Sequence, residues 1–355
     1  MRITVIGAGP AGSVAAILLA RRGARVTLVE QSTFPRDKVC GECVSSVGLA
    51  VLARHGLLDA LQTVGVALTH TRLVGADQLT TTQLPKEMLG ITRRAMDVIL
   101  LQSARDAGVM ILQPARVEAI DAKSVAVRML SDNRTTTLAS DYVVVADGRG
   151  TGLGNRPPLT GDMGIKCHYE SIAAPAHTIT LYSTNGTYGG VAPVEAERWN
   201  VAFSVPAERL KHAGGDVGRV FEEMIRANPV MSREFSGARR TGDWLAAPLP
   251  RYGVRRDWPQ NVIPVGNAAA AIEPIGGEGM GMAIASAELC AQAICDDDVA
   301  GLRARYESLW GSRVWSCRAG AVAMSNRYAS DFLVGLSELP SVARMGFGLV
   351  GKFSK

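Results

Sequence analysis

The chain has 355 residues, 47% of them hydrophobic and 20% charged, enough apolar material to bury the core of about two domains. Its 38 basic residues against 33 acidic ones leave a net charge of +5, and the arginine pairs starting at Arg21, Arg93, Arg239 and Arg255 are short, scattered and free of interleaved aromatics, which argues against a nucleic-acid partner. The opening MRITVIGAG breaks after a short apolar run, and no segment approaches the roughly 20 apolar residues of a membrane span, so a cytoplasmic location is expected.

Residues 2 to 6, RITVI, predict a β-strand, and the turn GAGPAG sets Gly7, Gly9 and Gly12 at the spacing G-x-G-x-x-G, with Pro10 and Ala11 between them. Gly7 permits the tight turn, Gly9 leaves room for a diphosphate against the backbone, and Gly12 lets the following helix pack on the strand. That helix aims its amides and positive dipole end at the phosphates, and Gly23 stops it. A second strand, ARVTLVE, ends at Glu30, where a carboxylate can accept hydrogen bonds from both hydroxyls of an adenosine ribose. The whole unit predicts a dinucleotide site, nicotinamide or flavin.

Next comes KVCGECVSS, with Cys40 and Cys43 two residues apart. No second C-x-x-C and no H-x-x-x-H occurs, so no metal is expected. In a reducing compartment the six cysteines, Cys40, Cys43, Cys167, Cys290, Cys295 and Cys317, read as free thiols. ITRRAMDVILLQSARDAG is a helix capped by Thr92 and ended by Gly108, with Arg93 and Asp97 one turn apart. RVEAI, SVAVRML and TTTLASDYVVVADG form a meander returning to the sheet, with Asp147 and Gly148 at its end. Alternating strands between about residues 161 and 250 predict an antiparallel substrate sheet that places His168, Tyr169, Tyr182, Tyr188 and Trp199 as candidate pocket residues. NVIPVGNAAAAIEPIGGEGMGMAIASAELCAQAI then reads as strand, loop and long helix, with glycines crowding the helix start.

These motifs resemble the FAD-dependent monooxygenase superfamily typified by para-hydroxybenzoate hydroxylase, and within it the geranylgeranyl-reductase-like branch, over essentially the whole chain. Gly7, Gly9, Gly12 and Glu30 match its ADP-binding fingerprint, Arg93 the arginine of its R-x-x-x-D helix, and Asp147 and Gly148 its "DG" motif. PVGNAAAAIEPIGGEGMGMAI matches its second FAD motif, which implies contacts from Gly266, Pro274, Gly277, Gly279 and Met280; Asn267 replaces the usual acid and can still accept a ribityl hydrogen bond. FPRDKVCGECVSS resembles the branch's P-R-x-K-x-C-G segment, which brings Arg36, Lys38, Cys40 and Gly41 beside the flavin, with Cys43 at the pocket. The implied fold is α/β: a Rossmann-like FAD-binding domain from residues 1–160 and 251–300, an interleaved antiparallel-sheet substrate domain from 161–250, and C-terminal helices from 301–355.

The implied activity is that of a flavin oxidoreductase reduced by a transiently bound NAD(P)H or by an external reductase, since Gly148, Gly150, Gly152 and Gly154 never complete a second fingerprint and Pro157 and Pro158 forbid an immediate helix. Glycines and alanine in TYGGVAPVE replace the bulky residues that line a prenyl tunnel, and W-x-W is absent, so prenyl reduction and halogenation are disfavoured. The expected reaction is oxygenation of an apolar or aromatic, polyketide-like small molecule. Reduction of a carbon–carbon double bond is the alternative, and dithiol chemistry at Cys40 and Cys43 comes third. No side chain declares itself as the catalytic acid or base. A tail with Arg344, Lys352 and Lys355 could touch a membrane, although a terminal helix packed on the FAD domain is the favoured expectation.

Overall fold

The computed structural model describes residues 1–148, 159–184, 186–250 and 252–338. The glycines from Gly150 to Gly154, the prolines Pro157 and Pro158, and the basic tail lie outside the described residues. A five-stranded parallel sheet runs in the order Val262–Pro264, Tyr142–Val145, Arg2–Ile6, Arg25–Val29, Met110–Leu112. Its strands are rich in Val, Ile and Leu because both faces are covered. Ile3, Val5, Val26, Leu28 and Val144 bury against helices Pro10–Arg21, Arg93–Asp106 and Gly279–Cys295. Ile6, Val29, Val143 and Val145 bury against the antiparallel strands Ala115–Ile120 and Ser124–Met129, which Thr135–Ala139 extends into a three-stranded sheet. The predicted meander is that sheet. Helix Arg93–Asp106 starts as the sequence implied, with Thr92 accepting the Ala95 N–H at 3.1 Å, and Gly108 follows it at φ +81°.

The second sheet follows the path Arg239–Arg240, Leu159–Glu170, Arg198–Pro206, Thr187–Val194, Thr178–Thr184, Val66–Val74, Leu79–Gly90, Cys43–Val44, with Leu245–Pro250 alongside Leu159–Glu170. Strands Val66–Val74 and Leu79–Gly90 fall within 1–160, the range assigned to the dinucleotide unit from sequence, yet they pair here, joined by the parallel register of His70 with Thr178. Their apolar side chains explain it: Leu68, Leu84 and Met88 bury with Ile179 and Ala192 of the larger sheet. The opposite face packs Tyr182, Val201, Phe203 and Val205 under helix Val217–Ala227 and its neighbours, with Asp216 capping that helix by accepting the Arg219 N–H at 3.0 Å.

Helix Leu302–Met324 buries Tyr306, Trp310 and Cys317 in the core beneath the parallel sheet and lays Ala321 and Met324 against Tyr188. Helix Arg327–Ser337 follows it, capped by Asn326. Among the described residues no helix is long and apolar enough to cross a membrane.

Candidate functional site

The turn after Arg2–Ile6 has the backbone its glycines imply. Gly7 lies at φ +97°, and a Cβ on Gly12 would stand 1.8 Å from the Gly7 carbonyl oxygen. Gly12 therefore lets the helix approach the turn itself, which is closer than helix-on-strand packing requires. A Cβ on Gly9 would stand 3.4 Å from Arg93 Nη2, inside the cleft. Glu30 is buried at the end of its strand; Oε2 accepts the Ala8 N–H and Oε1 the Ser32 N–H, both at 2.8 Å. Each oxygen keeps a second lone pair for a ribose hydroxyl. Arg36 comes within 3.5 Å of Glu30, and Lys38 and Asp147 complete this wing of the cleft.

Past Gly9 and Lys38 the cleft runs on between Pro10 and Ala11 on one side and Cys40 and Gly41 on the other. Arg93 and Gly148 line it, as do Gly266, Asn267 and Pro274, and then Gly277, Gly279 and Met280. Every cofactor position expected from sequence thus lies in or shapes one continuous groove. Sequence reasoning missed Tyr252 and Trp310, which close its far end. Arg93 is buried and forks onto Asp97, Nε to Oδ1 at 2.8 Å and Nη2 to Oδ2 at 2.7 Å. Burial opposes its charge, but the adjacent Asp97 carboxylate outweighs burial and holds the guanidinium protonated. A diphosphate cradle, a ribose acid at one end and an apolar slot at the other fit a flavin dinucleotide.

Cys40 and Cys43 are free thiols with separate environments. Cys40 Sγ accepts the Glu42 N–H at 3.4 Å, while Cys43 Sγ points to the Gly277 carbonyl at 3.8 Å. Gly277, at φ +65°, has no room for more, since a Cβ would stand 2.8 Å from that sulfur. Between the thiols sits an unanticipated centre. Glu42, fully buried at φ +52°, accepts from Lys166 Nζ at 2.9 Å, from the Arg93 N–H at 2.9 Å and from His168 Nε2 at 2.6 Å. Asp37 adds a second carboxylate 3.5 Å from Lys166 and receives Arg94 at 3.0 Å. Burial works to raise the Glu42 carboxyl, but the His168 hydrogen bond and the Lys166 charge outweigh it and hold the group below its ordinary range. With Asn200 Nδ2 donating to the Cys40 carbonyl at 3.1 Å, this cluster ties the cysteine turn to the larger sheet.

A cavity opens on the sheet side of that turn, walled by Val39, Leu181, Leu249 and Ile275 together with strand Thr187–Val194. It shares Cys40, Gly41, Cys43 and Gly277 with the groove. Of the candidate pocket residues, Cys43 and Tyr188 line it. The other four do not: Tyr169 and Trp199 pack against the cluster under helix Val217–Ala227. His168 is spent on Glu42, and Tyr182 points to the opposite face, where its hydroxyl donates to Glu234. The cause is strand parity: the register pairs Tyr188 with Ser183 and Tyr182 with Gly189, so the two tyrosines face opposite sides. Tyr188 donates to Glu273, a buried carboxylate that also receives Tyr252 at 3.0 Å and Arg318 at 2.8 Å. Burial, then the Glu273 charge, pushes the Tyr188 phenol far up, so it stays protonated.

A family model described as FAD binding domain matches residues 1–295. The chain is 26% identical over 362 residues to a menaquinone reductase of Mycolicibacterium smegmatis, covering 92% of this chain and 83% of that protein. In fold it is similar to PqsL of Pseudomonas aeruginosa, described as a "probable FAD-dependent monooxygenase", at a TM-score of 0.76 and 20% identity over 93% of this chain and 98% of that one. It is similar as well to a geranylgeranyl bacteriochlorophyll reductase-like protein of Thermoplasma acidophilum, at a TM-score of 0.78 and 18% identity over 98% and 95%. A groove that fits the dinucleotide and a family match over 295 residues agree: the chain belongs to the FAD binding domain family and is a flavin-dependent oxidoreductase with FAD as its cofactor.

Proposed function

We propose that the protein is a monooxygenase that transfers one oxygen atom to an apolar, aromatic or polyketide-like small molecule held in the cavity beside the flavin, with NAD(P)H as a transient electron donor. One observation carries this reading: no charged side chain and no imidazole is among the described residues that line the cavity. FAD supplies hydride exchange and, once reduced, activation of dioxygen; one oxygen atom goes to substrate and the other leaves as water. The protein's part is to exclude water and position the substrate, which a dry wall of Val39, Leu181, Leu249 and Ile275 can do. Reduction of an isolated double bond would need a strong acid in the cavity, and the groups there are thiols and a tyrosine whose phenol is pushed to higher pKa.

A second reading has its own support. The menaquinone reductase relative is reductive by name, and Tyr188, Cys40 and Cys43 could protonate a double bond conjugated to a carbonyl, for which a weak acid suffices. The deciding experiment reduces the FAD-loaded protein with NADPH or NADH under nitrogen and supplies a panel of alkylphenols and a menaquinone, with and without subsequent air. A product that gains one oxygen atom only after air supports the monooxygenase. A product that gains two hydrogens under nitrogen overturns it in favour of the reductase.

A further inference from the structure

We propose that Glu273 sets the polarity of the substrate cavity by holding the Tyr188 and Ser204 hydroxyls as hydrogen-bond acceptors, so that the substrate is an apolar molecule with a hydroxyl group that donates to them; this rests on the cavity reading given above. Tyr188 and Ser204 stand opposite each other on the paired strands Thr187–Val194 and Arg198–Pro206, and both line the cavity. Ser204 also hydrogen-bonds the Tyr188 phenol. The Tyr188 hydroxyl in turn donates to Glu273, which is 1% exposed and lines a separate opening together with Asp162 and Arg318.

The carboxylate dictates the direction of donation. Its Oε1 takes the Tyr188 proton and, at 3.0 Å, that of Tyr252, while Oε2 takes Arg318 Nη1 at 2.8 Å. An ionised carboxylate has no proton to return. Burial, then the Glu273 charge, pushes both phenols far up, so both keep the protons they give to it. With its own proton committed, the Tyr188 oxygen can only accept from Ser204, which spends the Ser204 proton as well. Both hydroxyls are thus left with lone pairs to offer a ligand. Tyr252 lines the flavin groove and is held there in the same sense.

A ketone or ether oxygen at this point would set lone pair against lone pair, and an acceptor desolvated without a donor weakens binding. A phenol or an alcohol supplies the missing proton. The Thr71 hydroxyl also lines the cavity, so the test is built on the carboxylate, whose effect can be reversed. In Glu273→Gln, Arg318 can only donate and so claims the amide oxygen at the Oε2 position; the amide nitrogen then takes the Oε1 position and donates to both tyrosines. Their protons turn away from residue 273, and Tyr188 becomes a donor. The Asp162 charge near Arg318 keeps that guanidinium compensated in the variant.

Equilibrium titration of the FAD-loaded protein, under nitrogen and without an electron donor, tests this through the change a bound ligand causes in the flavin absorbance. The probes are 4-hexylphenol, which can donate, and 4-hexylacetophenone, which can only accept. Wild type is expected to bind the phenol about tenfold more tightly than the ketone. Glu273→Gln is expected to bind the ketone about fivefold more tightly than wild type does, a gain that structural damage does not produce. Tyr188→Phe is expected to lose the preference for the phenol. Equal affinity of wild type for the two probes, or a Glu273→Gln protein that keeps the wild-type preference, would overturn the proposal and leave the cavity and monooxygenase readings standing. Should Glu273→Gln lose its FAD, Tyr188→Phe decides alone, and an undiminished preference for the phenol overturns the proposal. Binding of neither probe by wild type would overturn the cavity reading and the proposal together. No turnover is read, so failed oxygenation elsewhere leaves the result in place.

Discussion

The diphosphate cradle and the cavity wall use the same chain in opposite ways. In the cradle the backbone is the working surface: Gly7, Gly9 and Gly12 act by lacking side chains, and their spacing alone fixes where phosphate can lie. In the wall, function depends on which of two sheet faces each side chain takes, and a one-residue shift exchanges them. Tyr188 and Tyr182 occupy neighbouring strands of one hairpin and end on opposite faces, one at the cavity and one under helix Val217–Ala227. A backbone-defined site is read from glycine spacing, whereas a wall site depends on the face its strand register assigns.

The harshest test of that contrast is Gly12→Val. Its Cβ would lie 1.8 Å from a backbone oxygen that cannot move aside, so a loss of about 3 kcal/mol or more and no retained FAD are expected, read by urea unfolding and by absorbance after gel filtration. Glu42→Gln comes next, at the junction of the two regions. It leaves Lys166, 1% exposed, with Asp37 at 3.5 Å as its remaining carboxylate, and a loss of about 3 kcal/mol is expected, as for other broken buried pairs. The pH dependence has a definite sign. The native Glu42 carboxyl is held below its ordinary value of 4.5, so its stabilisation is present above that pH and is lost as pH falls through the lower native value. Wild type should lose stability steeply below about pH 4.5, and Glu42→Gln should lose less across the same range; parallel curves would remove Glu42 from the account.

How much of this was readable beforehand follows the same division. The parallel sheet, the capped helix after Thr92, the meander and the whole groove were legible because glycine spacing, caps and strand periodicity are local in sequence. The charge cluster was not, since Glu42 meets Lys166 and His168 across more than 120 residues of chain. A signal did exist: Lys166 and His168 stand two apart in the strand GIKCHYE, on one face, with apolar Ile165 on the other. Two basic residues on the covered face of a strand announce a buried anion. Tyr252 and Trp310 carried no signal, because the helix and loop that bring them to the groove are placed by tertiary packing.

Two milder substitutions sharpen the comparison. Asn267→Asp should retain FAD, whereas Asn267→Leu should weaken it by about 1 to 3 kcal/mol through an unpaired ribityl hydroxyl; equal FAD affinity in Asn267→Leu and wild type would place this residue elsewhere. Smallest is the tyrosine pair. Tyr182→Phe should cost about 1 kcal/mol of stability, since Glu234 keeps Arg72, and should leave turnover untouched, while Tyr188→Phe should change turnover with little effect on stability. The reverse pattern would mean that the cavity lies on the other face of the sheet.

The central claim is that FAD lies along the groove from Glu30 to Trp310, and titration of the FAD-depleted protein with FAD tests it most directly, with tryptophan fluorescence as the readout because Trp310 lines the far end. Wild type should bind one FAD per chain with quenching of that fluorescence, and Gly9→Val, whose side chain would fill the cradle facing Arg93, should fold but bind none. Undiminished binding by Gly9→Val, or a wild type that takes up no FAD, would contradict the account.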